Sequence, residues 1–277
     1  MTIRLIALFL VLMAVSLGTS AQQKSTLKTK PLICGHRGGY YAAYPENSMA
    51  LINHVMETTK DVPIMIEIDI RKSKDGTLYI LHDETVDRTT NGKGKIADLN
   101  DDYVRTLLLK KSNGELSDER IITLHELLQQ LKNTKCQLML DIKTDVWTET
   151  AKIILDSGWS DKSIFLTFNP EHTKTVTAYS DKLMVSALVR NENDLKALKN
   201  IPMVTQKRIA YVQRDAPVEF IDKLRQAGYK IMADVSEYTT HEGAMYERSH
   251  YVGLAKNKKL DVLITDFPVE VIQFLFR

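Results

Sequence analysis

What most constrains this chain is an alternation. Short apolar runs at residues 32–36, 63–70, 137–143, 163–168, 183–189, 208–213, 229–235 and 260–265 are separated by stretches of helical period, among them 47–59, 123–132, 148–157, 191–199 and 217–227. Strands divided by helices pair in parallel, because a parallel crossover needs a dozen or more residues whereas an antiparallel pair needs only a turn. Eight such strands are expected to close into a (β/α)8 TIM barrel, in which functional residues sit at the C-terminal strand ends and in the loops that follow. A doubly wound open sheet shares the alternation, but no G-x-G-x-x-G follows an early strand to support it.

One run breaks the pattern. Residues 77–82 follow the second strand after only six residues, Arg71-Lys72-Ser73-Lys74-Asp75-Gly76, so they must return antiparallel. Asp75-Gly76 signals a two-residue hairpin turn. Pairing Lys74 with Thr77 makes opposed positions sum to 151, which sets Asp69 against His82. After this hairpin the chain is longer than one helix requires and carries turn signals at Asn91-Gly92-Lys93-Gly94 and Asn113-Gly114, so a small insertion is expected at about residues 84–120. A second long connection, 236–259, is rich in aromatic residues and histidine: it forms either a wall or lid over the barrel mouth or an ordinary exposed loop.

Arg4, an apolar run over residues 5–17 and then Gly18-Thr19-Ser20-Ala21 read as a cleaved signal peptide at residues 1–21, with residues 22–277 as a single domain. The protein is therefore expected to be exported, periplasmic or secreted, with no stable membrane anchor. Lys and Arg number 37 against 35 Asp and Glu, which leaves no basic footprint for nucleic acid. Cys34 and Cys136 each lie inside an apolar run and are expected as buried thiols. Oligomeric state is not legible.

The chemistry lies at the strand ends. In Ile66-Glu67-Ile68-Asp69-Ile70 the side chains alternate, so both carboxylates share one face and the isoleucines take the other. Two like charges facing a barrel interior are costly without compensation, and a cation supplies it. Asp141, two residues before Lys143 on another strand, offers a third carboxylate. Three oxygen donors suit one divalent metal ion, Mg²⁺ or Ca²⁺, better than zinc. His36, Arg37, His82 and Lys143 lie at or near the same ends. Arg37 and Lys143 suit a phosphate, and the two imidazoles suit proton exchange. No G-x-S-x-G, H-E-x-x-H or P-loop pattern offers a rival chemistry.

These residues sit in the stretches GHRGGYYAAYPENS, EIDIRKSKDGTLYILHDETVDRTTNGKGKIADL, LMLDIK and LITDFP, which resemble the glycerophosphodiester phosphodiesterases. The resemblance implies a metal on Glu67, Asp69 and Asp141, His36 and His82 as the acid–base pair, Arg37 and Lys143 on the phosphate, and Glu46 in support by orienting His36 or Arg37. It also implies hydrolysis of a small-molecule phosphodiester to an alcohol and glycerol 3-phosphate: the glycerol 2-hydroxyl attacks phosphorus and water opens the cyclic phosphate, or water attacks directly. Three features depart from the family pattern. Asp141 stands where glutamate is more usual, no tryptophan occurs in 231–235, and the aromatic connection follows. The last two leave room for a lysophospholipid, inositol or sugar phosphodiester as substrate. A barrel that binds phosphorylated ligands without turnover is the reading from a different class.

Overall fold

The structure, a computed structural model, describes residues 30–204 and 208–276; the expected signal peptide lies outside the described residues. The chain begins with β1 (Leu32–Gly35), a 3-10 turn at His36–Gly38, and α1 (Met49–Thr58). The hairpin is β2 (Ile64–Lys72) with β3 (Leu78–Ile80), followed by α2 (Asp101–Val104), a small sheet of β4 (Leu108–Lys110) and β5 (Leu116–Arg120), and α3 (Leu124–Leu131). Strand and helix then alternate through β6 (Gln137–Ile142), α4 (Trp147–Asp156), β7 (Ser163–Thr167), α5 (Pro170–Tyr179), β8 (Met184–Leu188), α6 (Glu192–Lys199), β9 (Arg208–Val212) and α7 (Val218–Gln226). The last turn of the barrel is β10 (Lys230–Asp234), α8 (Glu237–Thr240), α9 (Arg248–Lys258), β11 (Val262–Thr265) and α10 (Pro268–Phe276).

Eight strands, β1, β2, β6, β7, β8, β9, β10 and β11, pair in parallel in that order, and β1 meets both β2 and β11 to close the barrel. The expected TIM barrel is therefore the fold. Period-2 alternation divides its apolar residues into two sets. Cys34, Met65, Met139, Ile164, Leu166, Ile209, Met232, Val262 and Ile264 fill the interior. Ile66, Ile68, Ile70, Leu138 and Leu140 join the helices in the outer core. The two thiols are free and buried, as expected, and they belong to different cores.

Local chemistry starts the helices where the barrel needs them. Ser48 Oγ accepts from the Leu51 amide at 3.2 Å, and Thr123 with Glu126 forms a reciprocal capping box ahead of α3. The insertion has its own core, in which Val86, Ile96, Val104, Leu107, Leu109 and Ile121 pack with Tyr79 and Leu81 of the hairpin arm.

The hairpin register departs from the sequence expectation by one residue. Ile70 faces Ile80, Arg71 faces Tyr79 and Lys72 faces Leu78, so opposed positions sum to 150 rather than 151. The turn is a three-residue loop, Lys74-Asp75-Gly76, closed by Ser73 N–H to the Thr77 carbonyl at 2.9 Å, with Gly76 at φ +94. A type I turn plus a left-handed glycine takes one residue more than the two-residue turn assumed from Asp-Gly. Leu81 thus bonds the Asp69 carbonyl at 2.9 Å, and His82 follows one position beyond it.

Candidate active site

β2 and β6 bring the acids together. Asp69 and Asp141 are register partners on adjacent strands, and Glu67 lies two residues earlier on the same face as Asp69. One oxygen from each carboxylate lies within 4.8 Å of the others, and the three residues are 3%, 0% and 7% exposed for Glu67, Asp69 and Asp141. The shorter side chain at 141 reaches the cluster with β6 in continuous parallel register with β2.

Buried carboxylates this close resist sharing charge. Burial and the neighbouring Asp69 push Glu67 up to about 8, against the pull of His36. Burial also works against Asp69, but Lys143, His82, Arg37 and Asn47 outweigh it and hold that carboxyl below its ordinary value. Lys143 Nζ bridges Asp141 Oδ2 at 2.6 Å and Asp69 Oδ1 at 3.1 Å. Asp69 Oδ1 is nevertheless buried outside hydrogen-bond geometry with any donor. An all-oxygen donor set, two carboxyls raised by burial, Glu67 and Asp141, and one unsatisfied oxygen fit a hard divalent cation, which would be held by Glu67, Asp69 and Asp141.

The turn after β1 delivers the cationic pair. Gly38 and Gly39 have φ of +91 and +129, and Arg37 itself has φ +51, so the chain folds back sharply at the barrel rim. That geometry points the Arg37 amide at Glu67 Oε2, 2.8 Å away, while its guanidinium lies 3.7 Å from Asp69 and 3.4 Å from Glu46. His36 Nδ1 donates to Asp266 Oδ1 at 2.8 Å, which leaves Nε2 for a ligand. Burial opposes charge on His36, but Asp266, Glu67 and Asp234 overcome it and raise the imidazole to about 9.

His82 has its own carboxylate, with Nδ1 donating to Asp83 Oδ1 at 2.8 Å. Burial lowers its pKa below the ordinary value, against the pull of Asp69 and Asp83. Glu46 receives two bonds from Arg88, at 2.7 and 2.8 Å, and Arg88 also grips Asp83. Glu46 is therefore linked to Arg37 directly and to His82 through Arg88 and Asp83, whereas the partner of His36 is Asp266.

Five residues of this constellation carried no role in the sequence reading. Asn47, with φ +58, donates to Asp69 Oδ2 at 3.0 Å. Asp83 and Arg88 hold His82, and Asp266 holds His36. Glu237 is fully buried and accepts from Tyr251 Oη, Thr265 Oγ1 and the Asp266 amide at 2.5 to 2.7 Å. It fastens the connection 236–259 to the strand end that carries Asp266. That connection forms a wall: Tyr238 lines the cavity beside His36, and the Tyr238 amide donates to Asp266 Oδ2 at 2.7 Å. His241 and His250 face away from this chemistry and sandwich the Tyr246 ring, each with centroids 4.2 Å apart.

Comparison with known proteins bears on the family and the fold. The model of the glycerophosphoryl diester phosphodiesterase family matches residues 36–270. A glycerophosphodiester phosphodiesterase of Caldanaerobacter subterraneus is 31% identical over 166 residues, covering 57% of this chain and 67% of that protein. Glycerophosphodiester phosphodiesterase 1 of Mus musculus is 37% identical over 111 residues, which span 39% of this chain and about a third of that protein's length. A glycerophosphoryl diester phosphodiesterase of Parabacteroides distasonis superposes with a TM-score of 0.78 at 27% identity, over 88% of this chain and 86% of that one. An Oleispira antarctica phosphodiesterase, solved with the product sn-glycerol-3-phosphate, shares the fold with a TM-score of 0.71 at 20% identity, over 89% and 97% of the two chains. The chain belongs to the glycerophosphoryl diester phosphodiesterase family of phosphoric diester hydrolases.

Proposed function

We propose that this protein hydrolyses glycerophosphodiesters to an alcohol and glycerol 3-phosphate, with His36 as general acid, His82 as general base and a divalent cation on Glu67, Asp69 and Asp141. The observation that carries the reading is the pair of histidines, each oriented by its own carboxylate, on either flank of a buried three-carboxylate cluster. When bound, the cation neutralises charge on the diester oxygens. Arg37 offers a planar fork to the same oxygens.

The two imidazoles sit in opposed environments. His36 is raised and lines the cavity beside the phosphate position, so it donates the proton that the departing alkoxide takes up. His82 is lowered and removes the proton of the glycerol 2-hydroxyl as that oxygen bonds to phosphorus. The bond to the alcohol breaks and a cyclic phosphate remains. His36 then takes a proton from water as the water oxygen bonds to phosphorus, and His82 returns its proton to the ring oxygen. Both histidines end as they began.

We also infer export, with residues 1–21 removed; the motif of Arg4, an apolar stretch and small residues supports it. Among the described residues no helix is long and apolar enough to cross a membrane.

The test is release of glycerol 3-phosphate from glycerophosphodiesters by chelator-treated protein before and after Mg²⁺ or Ca²⁺ is returned. Activity is expected to fall to background with chelator and to recover with one of the two ions. Full activity in chelator would overturn the cation assignment, and no release under any condition would overturn the substrate assignment.

A further inference from the structure

A cavity of about 280 Å³ opens beside His36 and Arg37, and its wall includes Tyr40, Tyr44 and Tyr238 together with Lys110 and Lys111. The loop after β1, the connection after β10 and the tip of the β4–β5 hairpin meet there, together with Arg88 and Thr89 of the insertion and Asp266 after β11. Tyr40 and Tyr238 close one part of the wall with ring centroids 5.5 Å apart. The hairpin tip is held in shape by Gly114 at φ +87 and by Lys111 N–H to the Glu115 carbonyl at 2.9 Å.

The charges lining this cavity are not balanced. Arg88 is taken up by Glu46 and Asp83. Lys111 meets Glu115 at 3.5 Å, but that carboxylate is 66% exposed and screened by solvent. Lys110 Nζ meets the Asp87 carbonyl at 3.2 Å and has no carboxylate partner among the described residues. The wall is therefore aromatic and cationic at once. An aromatic cage alone would suit a quaternary ammonium; two lysines on the same wall repel one. Glycerol, small and neutral, requires neither feature.

We propose that this cavity receives the leaving group and selects a polyol headgroup carrying a second phosphate. The inference rests on the phosphodiesterase reading above and assigns the substrate class of that site. Tyrosine faces pack against the polyol carbons, tyrosine hydroxyls bond its oxygens, and Lys110 and Lys111 meet the second phosphate as point charges. His36, on the same wall, is then placed to protonate the oxygen that departs into the cavity. The second phosphate can come as a monoester on an inositol ring or as a diester in a deacylated bis-phospholipid, and both present the same anion to the lysines.

The experiment compares kcat/KM of the full protein for glycerophosphoinositol 4-phosphate, bis(glycerophospho)glycerol, glycerophosphoinositol and glycerophosphocholine. At least one of the first two is expected to exceed the last two tenfold or more, and which one does so identifies the source of the phosphate. In Lys110→Gln/Lys111→Gln that ratio is expected to collapse through KM, and in Lys110→Glu, which keeps a long polar side chain at the exposed hairpin, to shift toward glycerophosphocholine. Equal kcat/KM across the four substrates, or a ratio that survives both variants, would overturn the inference and leave the phosphodiesterase reading standing. Hydrolysis of none of the four would instead overturn that reading.

Discussion

Replacing Glu67 by glutamine tests whether the acidic cluster is built around a cation. Without a cation, Glu67 is held up to about 8, well above its ordinary value of 4.5, by burial and by Asp69. A carboxyl whose folded pKa is raised binds its proton in the folded state, so its contribution to stability falls as pH rises from about 4.5 to about 8. At 1.36 kcal/mol per unit the full displacement corresponds to roughly 5 kcal/mol, and sharing of the repulsion with Asp69 and Asp141 brings the expectation to roughly 2–5 kcal/mol. Glutamine keeps the acceptor that meets the Arg37 amide and removes the charge. In chelator, Glu67→Gln should melt with wild type at about pH 4 and roughly 4–20 °C above it at pH 9, taking about 2–4 °C per kcal/mol for a domain of this size. Saturating Mg²⁺ or Ca²⁺ should reverse the order, because wild type gains a ligand-linked increment that the variant gains less of. The assay is thermal unfolding across that pH range. A variant that melts at or below wild type at pH 9 in chelator would refute the reasoning.

Other perturbations separate positioning from stability. Asp266→Asn leaves His36 without its anionic partner, so kcat should fall about 10²- to 10⁴-fold and the alkaline limb of the pH–rate profile should move to lower pH; an unmoved limb would count against the role of Asp266. Asn47→Gly removes the donor to Asp69 but tolerates φ +58, and should cost about 1–3 kcal/mol in urea unfolding; Asn47→Ala should cost a further ~1 kcal/mol for the left-handed backbone. Glu237→Gln leaves one acceptor oxygen for three buried donors and should lower stability by about 1–3 kcal/mol and raise proteolytic cutting in residues 236–259; wild-type resistance would show that the connection is held elsewhere.

What the chain disclosed in advance follows from the range of each signal. The barrel strands and the buried thiols rest on short apolar runs, and the shared face of Glu67 and Asp69 on period-2 alternation, signals that a short window carries. The hairpin register did not survive, because Asp75-Gly76 serves two loops that differ by one residue and both hold the glycine left-handed; they part at Asp75, whose φ is not positive here. Asp266 went without a role because its partner lies 230 positions away, and a lone Asp after an apolar run is common. The cue was present: it stands at the C-terminal end of the eighth strand, as Asp141 stands near the end of β6. Asn47 lies in the stretch GHRGGYYAAYPENS with no sign of its task, since a positive φ and a bond to Asp69 leave no local trace. Glu237 looked like one acid in a polar connection, and its burial depends on Tyr251 and Thr265 arriving from either side.

The most direct test of the two-histidine account sets the departing oxygen against its acid. His36→Ala and His82→Ala would be assayed on a glycerophosphodiester with an alkyl leaving group and on the 4-nitrophenyl ester of glycerol 3-phosphate, whose leaving group needs no proton. Both variants should lose about 10²- to 10⁴-fold on the alkyl ester. On the nitrophenyl ester His36→Ala should recover most of its rate of nitrophenol release while His82→Ala stays low. Equal impairment of the two variants on both esters, or wild-type rates in either on the alkyl ester, would contradict it.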